Sequence, residues 1–123
     1  MVYRINGNLD NVRFTKIKDY DNYLICGSGA VYSLKSKKAR KLKPRNNGRG
    51  YSQVRLSQDN IQKNYLIHRL VAQAFIPNPY GFDTIDHIDG NKKNNCISNL
   101  QYLSRGDNAR KYYGKTLKVI QEV

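Results

Sequence analysis

The sequence has little cysteine and no long apolar run, and both absences narrow the class of protein. Its two cysteines, Cys26 and Cys96, lie far apart and belong to no C-x-x-C pair. This usage predicts reduced thiols without a bound metal in a cytoplasmic protein. The first residues are too polar for a secretory signal, and no stretch is apolar enough to span a bilayer. We therefore expect no membrane partner.

Acidic residues are also scarce. Nine Asp and Glu stand against 22 Lys and Arg, which gives a formal charge of +13. The excess positive charges repel one another in the compact state, and such an excess indicates a polyanionic partner. DNA is the first candidate; RNA is a weaker alternative that the ten tyrosines leave open. An anionic membrane is disfavoured because no basic amphipathic helix is present.

The first half of the chain predicts β structure. Residues 22–26 and 30–34 are short β-prone runs separated by Gly27-Ser28-Gly29, which is typical of a hairpin. Residues 51–56 alternate polar Gln53 and Arg55 with apolar side chains, as a half-exposed strand does. After a turn at 57–60, residues 61–67 form another strand-like run. The result is an antiparallel β-ribbon.

Between the hairpin and the ribbon lies a basic segment. Eight of the residues 35–49 are Lys or Arg, and no acidic residue occurs from 22 to 58. A solvated loop is the simpler interpretation, but contacts with phosphates explain an unbalanced basic run better. Long polar side chains on a β-ribbon can also read base edges in a major groove. The predicted DNA-binding residues are Lys37, Lys38, Arg40, Lys41, Lys43, Arg45, Arg49, Gln53 and Arg55.

The second half predicts a helix, a strand, a polar loop, a strand and a second helix. Residues 68–75 have the pattern of a short helix, with Leu70, Val71, Ala74 and Phe75 on one buried face. We expect His68 at its start to have a structural role, partly buried and bonded to nearby backbone. Residues 83–88 and 101–103 are strand-like, and Ser104 is a predicted N-cap for a helix towards residue 113.

The stretch at residues 85–95, which is the end of the predicted strand and the loop after it, holds the candidate chemistry. Asp86 stands beside His87, one of two histidines, within a cluster of asparagines. Histidine exchanges protons near neutral pH, and carboxylate and amide oxygens are ligands for Mg²⁺ or Mn²⁺. An Asn/Asp-rich turn whose side chains bond their own backbone is the structural alternative. An EF-hand is excluded, because Gly90 at its sixth position puts Ile85 and His87 where carboxylates are needed.

The residues in this half resemble the HNH homing endonucleases, particularly those of bacteriophages. The resemblance is carried by a His-Arg-Leu-Val-Ala run with a following Phe, a DHIDGN stretch, paired asparagines, an Asn-Leu pair and a last asparagine; these lie at 68–75, 86–91, 94–95, 99–100 and 108. Residues 20–34 are similar to the small DNA-binding motif that often precedes such domains.

The resemblance implies a ββα-metal core with four roles. Asp86 and Asn108 are the implied metal ligands, His87 the general base, and Asn99 the residue that holds the loop and helps to orient His87. Many members have histidine where Asn108 stands, and an amide oxygen there favours Mg²⁺ or Mn²⁺. No structural zinc is expected, because the cysteine pairs of some relatives are absent. Arg69 or Arg105 could clamp the phosphate.

Together these features predict an α+β fold in which an antiparallel β-ribbon or hairpin precedes a ββα-metal core. The predicted division is a DNA-binding region at 1–60, a nuclease domain at 61–114 and a short tail at 115–123. The expected activity is metal-dependent hydrolysis of double-stranded DNA, with nicking by a monomer favoured over a dimer. If the chain is phage-encoded, the host cytoplasm is its expected location. A DNA-binding module that keeps the fold without catalysis is the alternative.

Overall fold

The computed structural model describes residues 13–108, which form three antiparallel sheets around one central helix. The first sheet has the order β1-β2-β3-β4, with strands Phe14–Ile17, Tyr20–Cys26, Val31–Ser33 and Arg40–Lys41. The second has the order β5-β6-β7, with strands Arg45–Asn46, Ser52–Gln58 and Ile61–Leu66. The hairpin predicted around Gly27–Gly29 and the ribbon predicted at 51–67 are both confirmed.

The third sheet pairs β8 (Thr84–His87) with β9 (Leu100–Leu103), and α1 (Ile67–Phe75) precedes it. The connection between the two strands ends in a 3-10 turn at Ile97–Asn99. Residues 105–108 begin a helix, whose N-cap is Ser104 as predicted, since its Oγ accepts a hydrogen bond from Asp107 N at 3.1 Å. The expected extension to residue 113 lies outside the described residues.

Alternation along β6 decides how the second sheet packs. Val54 and Leu56 are buried, whereas Arg55 between them is exposed, as the period-2 pattern predicted. The hairpin turns at Asp59 and Asn60, which have φ values of 55° and 65°. These two residue types tolerate the left-handed conformation that tight hairpin turns require.

One hydrophobic core joins all parts of the described chain. It includes Ile25 and Leu56 from the first two sheets, Val71 from α1 and Leu100 from β9. The α+β class is therefore confirmed. The domain boundary predicted at residue 60 falls in the β6–β7 turn, and that division stays a prediction. No helix within residues 13–108 is long and apolar enough to cross a membrane.

Two details of α1 differ from the sequence-based expectation. The helix begins at Ile67, one residue before the predicted start. Ala72, which is outside the predicted buried face, is fully buried, because α1 contacts the first two sheets and the β8–β9 hairpin as well. Ala74, expected in the core, is exposed. It lies on the predicted face but lines an open cavity beside Ile17 and Tyr65, which its single methyl group does not fill.

Candidate functional site

The paired strands β8 and β9 fix the positions of Asp86 and His87. In the antiparallel register Asp86 lies opposite Gln101, and His87 lies opposite Leu100. The Gln101 amide donates a hydrogen bond from Nε2 to Oδ2 of Asp86 at 2.9 Å. A cross-strand neighbour therefore orients the candidate metal-binding carboxylate before any ligand arrives.

Asn99 closes the loop that follows His87. Its buried side-chain amide donates to Asp89 Oδ1 at 2.9 Å and to the Asn94 carbonyl at 2.8 Å, and its Oδ1 accepts from Asp89 N at 3.1 Å. Its backbone carbonyl accepts from Ile88 N at 2.8 Å. A single buried side chain thus joins both ends of the loop, and its removal leaves several polar groups without their partners.

The rest of the loop uses side chains to hold its own backbone, as predicted. Asn91 N donates to Asp89 Oδ1 at 2.7 Å, and Lys93 N donates to Asn91 Oδ1 at 3.0 Å. Hydrogen bonds from Asn94, from the Asn91 backbone and from Asn99 hold the pKa of the Asp89 carboxyl below its usual value. Asp89 is therefore a structural anion of the loop.

The imidazole of His87 is buried, with 6% of its surface exposed, and lies against Asn95. Its Nε2 is 2.8 Å from Asn95 Oδ1. Asn95 is itself only 6% exposed. The family resemblance implies that Asn99 helps to orient His87, and the sequence predicts Asn95 only as a turn residue, so the contact of Asn95 with this ring was missed. Nothing in the local pattern distinguishes it from its neighbour Asn94.

Two further rings, those of His68 and Tyr51, lie beside the imidazole of His87. The ring centroids of His68 and His87 are 5.0 Å apart, and Tyr51 lies 5.1 Å from His68 and 6.0 Å from His87. The Lys92 ammonium stands 4.7 Å above the Tyr51 ring and donates to the Arg49 carbonyl at 3.2 Å. The β5–β6 turn is thereby attached to the loop of the third sheet.

His68 differs from its prediction in one respect. It is buried as expected, with 5% exposed, but its Nδ1 has no hydrogen-bond partner among residues 13–108. The backbone bond expected for this ring is therefore missing at Nδ1. Burial, together with the neighbouring His87 and Arg69, lowers the pKa of His68 to about 4.

The low pKa of His68 predicts a loss of stability in mild acid. An unfolded histidine takes up a proton near its ordinary pKa of 6.5, whereas folded His68 does so only near 4. Because the unfolded state binds more protons in this window, the free energy of unfolding falls as the pH drops. Between pH 7.5 and 4.5 we expect His68 to account for a loss of about 2–3 kcal/mol.

Urea unfolding of the wild type and of His68→Gln at both pH values measures this loss. The wild type is expected to lose more stability than the variant by that amount, since Gln cannot titrate. Equal losses in the two proteins would contradict the low pKa.

Asn108 stands on the first turn of the helix that leaves β9, half-buried, with its backbone N–H donating to the Ser104 carbonyl at 3.0 Å. Residues 13–108 contain no group of three His, Cys, Asp or Glu side chains that could hold a metal. The candidate donors are therefore one carboxylate, Asp86, and one amide, Asn108. Such hard oxygen donors fit Mg²⁺ or Mn²⁺, which keep water and substrate oxygens in their coordination shell.

The predicted DNA-binding residues lie on two sheets and the turns beside them. Lys37 and Lys38 precede β4, Arg40 and Lys41 form β4, Lys43 links the sheets, Arg45 is on β5, Arg49 is in the β5–β6 turn, and Gln53 and Arg55 are on β6. All are exposed except Gln53, which is partly buried.

Arg55 lies beside predicted DNA-binding residues of both sheets. It lines a cavity of about 360 Å³ together with Arg40 and Lys35. It also lines a second cavity, of about 290 Å³, with Arg45 and Gln53. Its guanidinium donates to Asn64 at 3.2 Å and to Gln62 at 3.4 Å across the β6–β7 pair. Lys35, Gln62 and Asn64 were missed. The ribbon register places Gln62 and Asn64 on the strand beside β6, whereas Lys35 lies after β3.

The two arginines considered as phosphate clamps both contact Asp83. Arg69 donates to the Asp83 carbonyl at 3.1 Å, and Arg105 forms an ion pair with its carboxylate at 2.8 Å. Hydrogen bonding to Arg105 lowers the pKa of Asp83. Both side chains of the Arg105–Asp83 pair are largely exposed. Arg105 can therefore leave Asp83 and bind a phosphate at little cost in free energy.

The matched family model and the similar proteins are all described as HNH endonucleases. Residues 65–110 match the family described as HNH endonuclease. The chain is 37% identical over 90 residues to DNA endonuclease I-HmuI of Bacillus phage SP01, covering 72% of this chain and 51% of that protein. It is 40% identical over 92 residues to an uncharacterised HNH endonuclease of Acanthamoeba polyphaga mimivirus, covering 75% of this chain and 27% of that protein.

A solved structure is also similar. It concerns DNA binding and cleavage by the HNH homing endonuclease I-HmuI, and it matches with a TM-score of 0.76 and 30% identity over 85% of this chain and 60% of that chain. The chain spans between 25% and 52% of the length of the curated relatives that it matches. With the ββα order, the loop-closing Asn99 and the buried His87, the matched segment at residues 65–110 is a domain of the HNH endonuclease family.

Proposed function

We propose that this chain is a DNA endonuclease that uses one divalent metal ion, Mg²⁺ or Mn²⁺, and hydrolyses one phosphodiester per binding event. The observation that carries the proposal is the arrangement of β8. It holds the carboxylate of Asp86 and the buried imidazole of His87 at adjacent positions, directly before a loop that Asn99 closes. Relatives that this chain matches are named as endonucleases.

His87 acts as the general base. A neutral imidazole takes a proton from a water molecule, whose oxygen attacks the phosphorus while the bond to the 3′-oxygen breaks. The products are a 5′-phosphate and a 3′-hydroxyl. General base catalysis by a positioned side chain contributes roughly 10²–10⁴-fold to the rate.

Asp86 and Asn108 are the residues that would hold the metal ion. When bound, a divalent cation stabilises negative charge on the phosphate and on the departing oxygen. Gln101 keeps the Asp86 carboxylate in place through the cross-strand hydrogen bond of 2.9 Å. Because one carboxylate and one neutral amide would make a weak cage, oxygen atoms of the DNA phosphate would be needed to complete the coordination.

The basic β-ribbon binds the duplex. Arg40, Arg45 and Arg55 present their charges from the edges and face of the first two sheets, and Gln53 lies opposite Arg45 in the register. Phosphate contacts supply affinity, whereas polar side chains on the ribbon can read base edges. Binding to double-stranded DNA as a monomer with one catalytic site per chain fits cleavage of one strand at a time.

The test is cleavage of supercoiled plasmid by the purified chain in Mg²⁺ or Mn²⁺, with EDTA as the control. We expect nicked circles to appear first, no products in EDTA, and recovery of cleavage when excess metal is added back. Absence of cleavage in every divalent metal, with the DNA still bound, would contradict the proposal.

A non-catalytic DNA-binding module is the second candidate, and the neutral amide of Asn108 is the feature that favours it. Calorimetric titration of Mn²⁺ into the complex with a non-cleavable DNA separates the two candidates. The endonuclease is expected to bind one Mn²⁺ per chain, whereas the binding module is expected to bind none.

A further inference from the structure

The β2–β3 turn of the first sheet contacts the segment that follows the third-sheet loop. Ile97 N donates to the Gly27 carbonyl at 2.9 Å, and Cys96 Sγ lies 3.8 Å from the Ser28 carbonyl. These contacts join residues that are far apart in the sequence. They fix the position of the backbone on the C-terminal side of Asn95.

Gly29 brings the same turn directly against Asn95. Its φ is +94°, a conformation that side chains disfavour. A Cβ built on Gly29 stands 3.1 Å from Asn95 Cβ and 3.3 Å from the Asn95 carbonyl oxygen. A side chain at Gly29 would adopt a disfavoured φ and would press on Asn95, which would have to move by a few tenths of an ångström. The turn therefore packs directly against Asn95.

Asn95 in turn contacts the imidazole of His87. Its Oδ1 lies 2.8 Å from His87 Nε2, and both residues are buried. An amide oxygen can only accept a hydrogen bond, so Nε2 must carry the proton in this pair. The neutral ring then has its basic lone pair on Nδ1, which is the nitrogen that takes a proton from water.

We propose that Asn95 is a positioning residue that fixes the tautomer and orientation of His87, and that the Gly27–Gly29 turn holds Asn95 in place. This inference rests on the proposed role of His87 as general base. The two asparagines then have different functions: Asn99 holds the loop, and Asn95 holds the imidazole ring of His87. The β2–β3 turn of the first sheet thereby contributes to catalysis through Asn95.

Imidazole nitrogen spectra test the tautomer without any measurement of activity. The chain has two histidines, so ¹⁵N-histidine labelling gives two ring systems, and His68→Gln assigns them. At about pH 8.5 we expect His87 as the Nε2–H form, because its Nε2 lies 2.8 Å from the acceptor Asn95 Oδ1. Asn95→Leu is expected to lose this preference, and Asn95→Asp to keep it, because a carboxylate oxygen still accepts.

Cleavage rates test the consequence. At saturating DNA, Asn95→Leu is expected to lower kcat roughly 10- to 100-fold, as removal of a partner that orients a catalytic histidine does, with KM for DNA changed less than twofold. Asn95→Asp is expected to restore most of the rate. Gly29→Ala is expected to lower kcat in the same way, by pushing on Asn95.

Gly81→Ala is the matched control for the backbone cost of Gly29→Ala. Gly81 also has a positive φ, of +65°, but a Cβ there meets nothing within 4 Å. We expect this variant to pay the conformational cost without losing activity.

The inference is overturned if wild-type His87 is the Nδ1–H form, or if Asn95→Leu keeps either the wild-type tautomer or the wild-type kcat. If Asn95→Leu does not fold, the wild-type spectrum and Asn95→Asp decide the question in the same terms. A wild-type chain that cleaves no DNA in any metal overturns the proposed function instead, so the two failures are distinguishable.

Discussion

Replacing His87 with alanine is expected to slow single-turnover DNA cleavage by about 10²–10⁴-fold, the usual contribution of a positioned general base. The variant loses the group that accepts the proton from water, but it keeps Asp86, the basic ribbon and the loop held by Asn99. DNA affinity, measured by fluorescence anisotropy, is therefore expected to change less than twofold.

The neighbouring residue supplies the control for this substitution. Ile88 is 47% exposed and follows His87 directly, so Ile88→Ala removes apolar atoms next to the site without touching the imidazole. It is expected to cleave within a few-fold of the wild type. A His87→Ala variant that cuts at the wild-type rate would remove His87 from the mechanism.

Replacing Asp86 with asparagine is expected to lower cleavage by about 10²–10³-fold at a fixed, physiological Mg²⁺ concentration. The substitution keeps the shape of the side chain but removes the only carboxylate assigned to the metal. The magnitude follows from the several kcal/mol that a bound cation contributes to the transition state, at 1.36 kcal/mol for each tenfold change in rate.

Metal titration identifies the cause of the loss. The rate of Asp86→Asn is expected to rise at high Mn²⁺, because the defect is in metal affinity. Asp59→Asn is the matched control, since it makes the same chemical change in the β6–β7 turn, where φ is 55° and asparagine is well tolerated. Equal activity of Asp86→Asn and Asp59→Asn would exclude Asp86 as a metal ligand.

Features with a local sequence signal could be predicted. The alternation at 53–56 gave the exposed and buried faces of β6, and the glycine-rich triplet located the β2–β3 turn. The Asn/Asp-rich loop also bonds its own backbone as expected. Each of these depends on residues within a few positions of one another, and that short range is what sequence periodicity reports.

Features that depend on distant contacts could not be predicted. Nothing near Asn95 indicates that it, and not Asn94, is buried against His87, because its burial depends on the turn at Gly29. The same limit explains Ala74, whose exposure depends on an open cavity beside β1 and β2. His68 was expected to bond the backbone, but tertiary packing surrounds it with rings and leaves its Nδ1 without a partner among residues 13–108.

The most direct test of the central claim is the cleavage of end-labelled duplex DNA, mapped to nucleotide resolution on both strands in Mg²⁺. Hydrolysis at a site built from Asp86 and His87 predicts products with a 5′-phosphate and a 3′-hydroxyl, formed on one strand before the other and absent in EDTA. Stable DNA binding with no cut on either strand in Mg²⁺ or Mn²⁺ would contradict it.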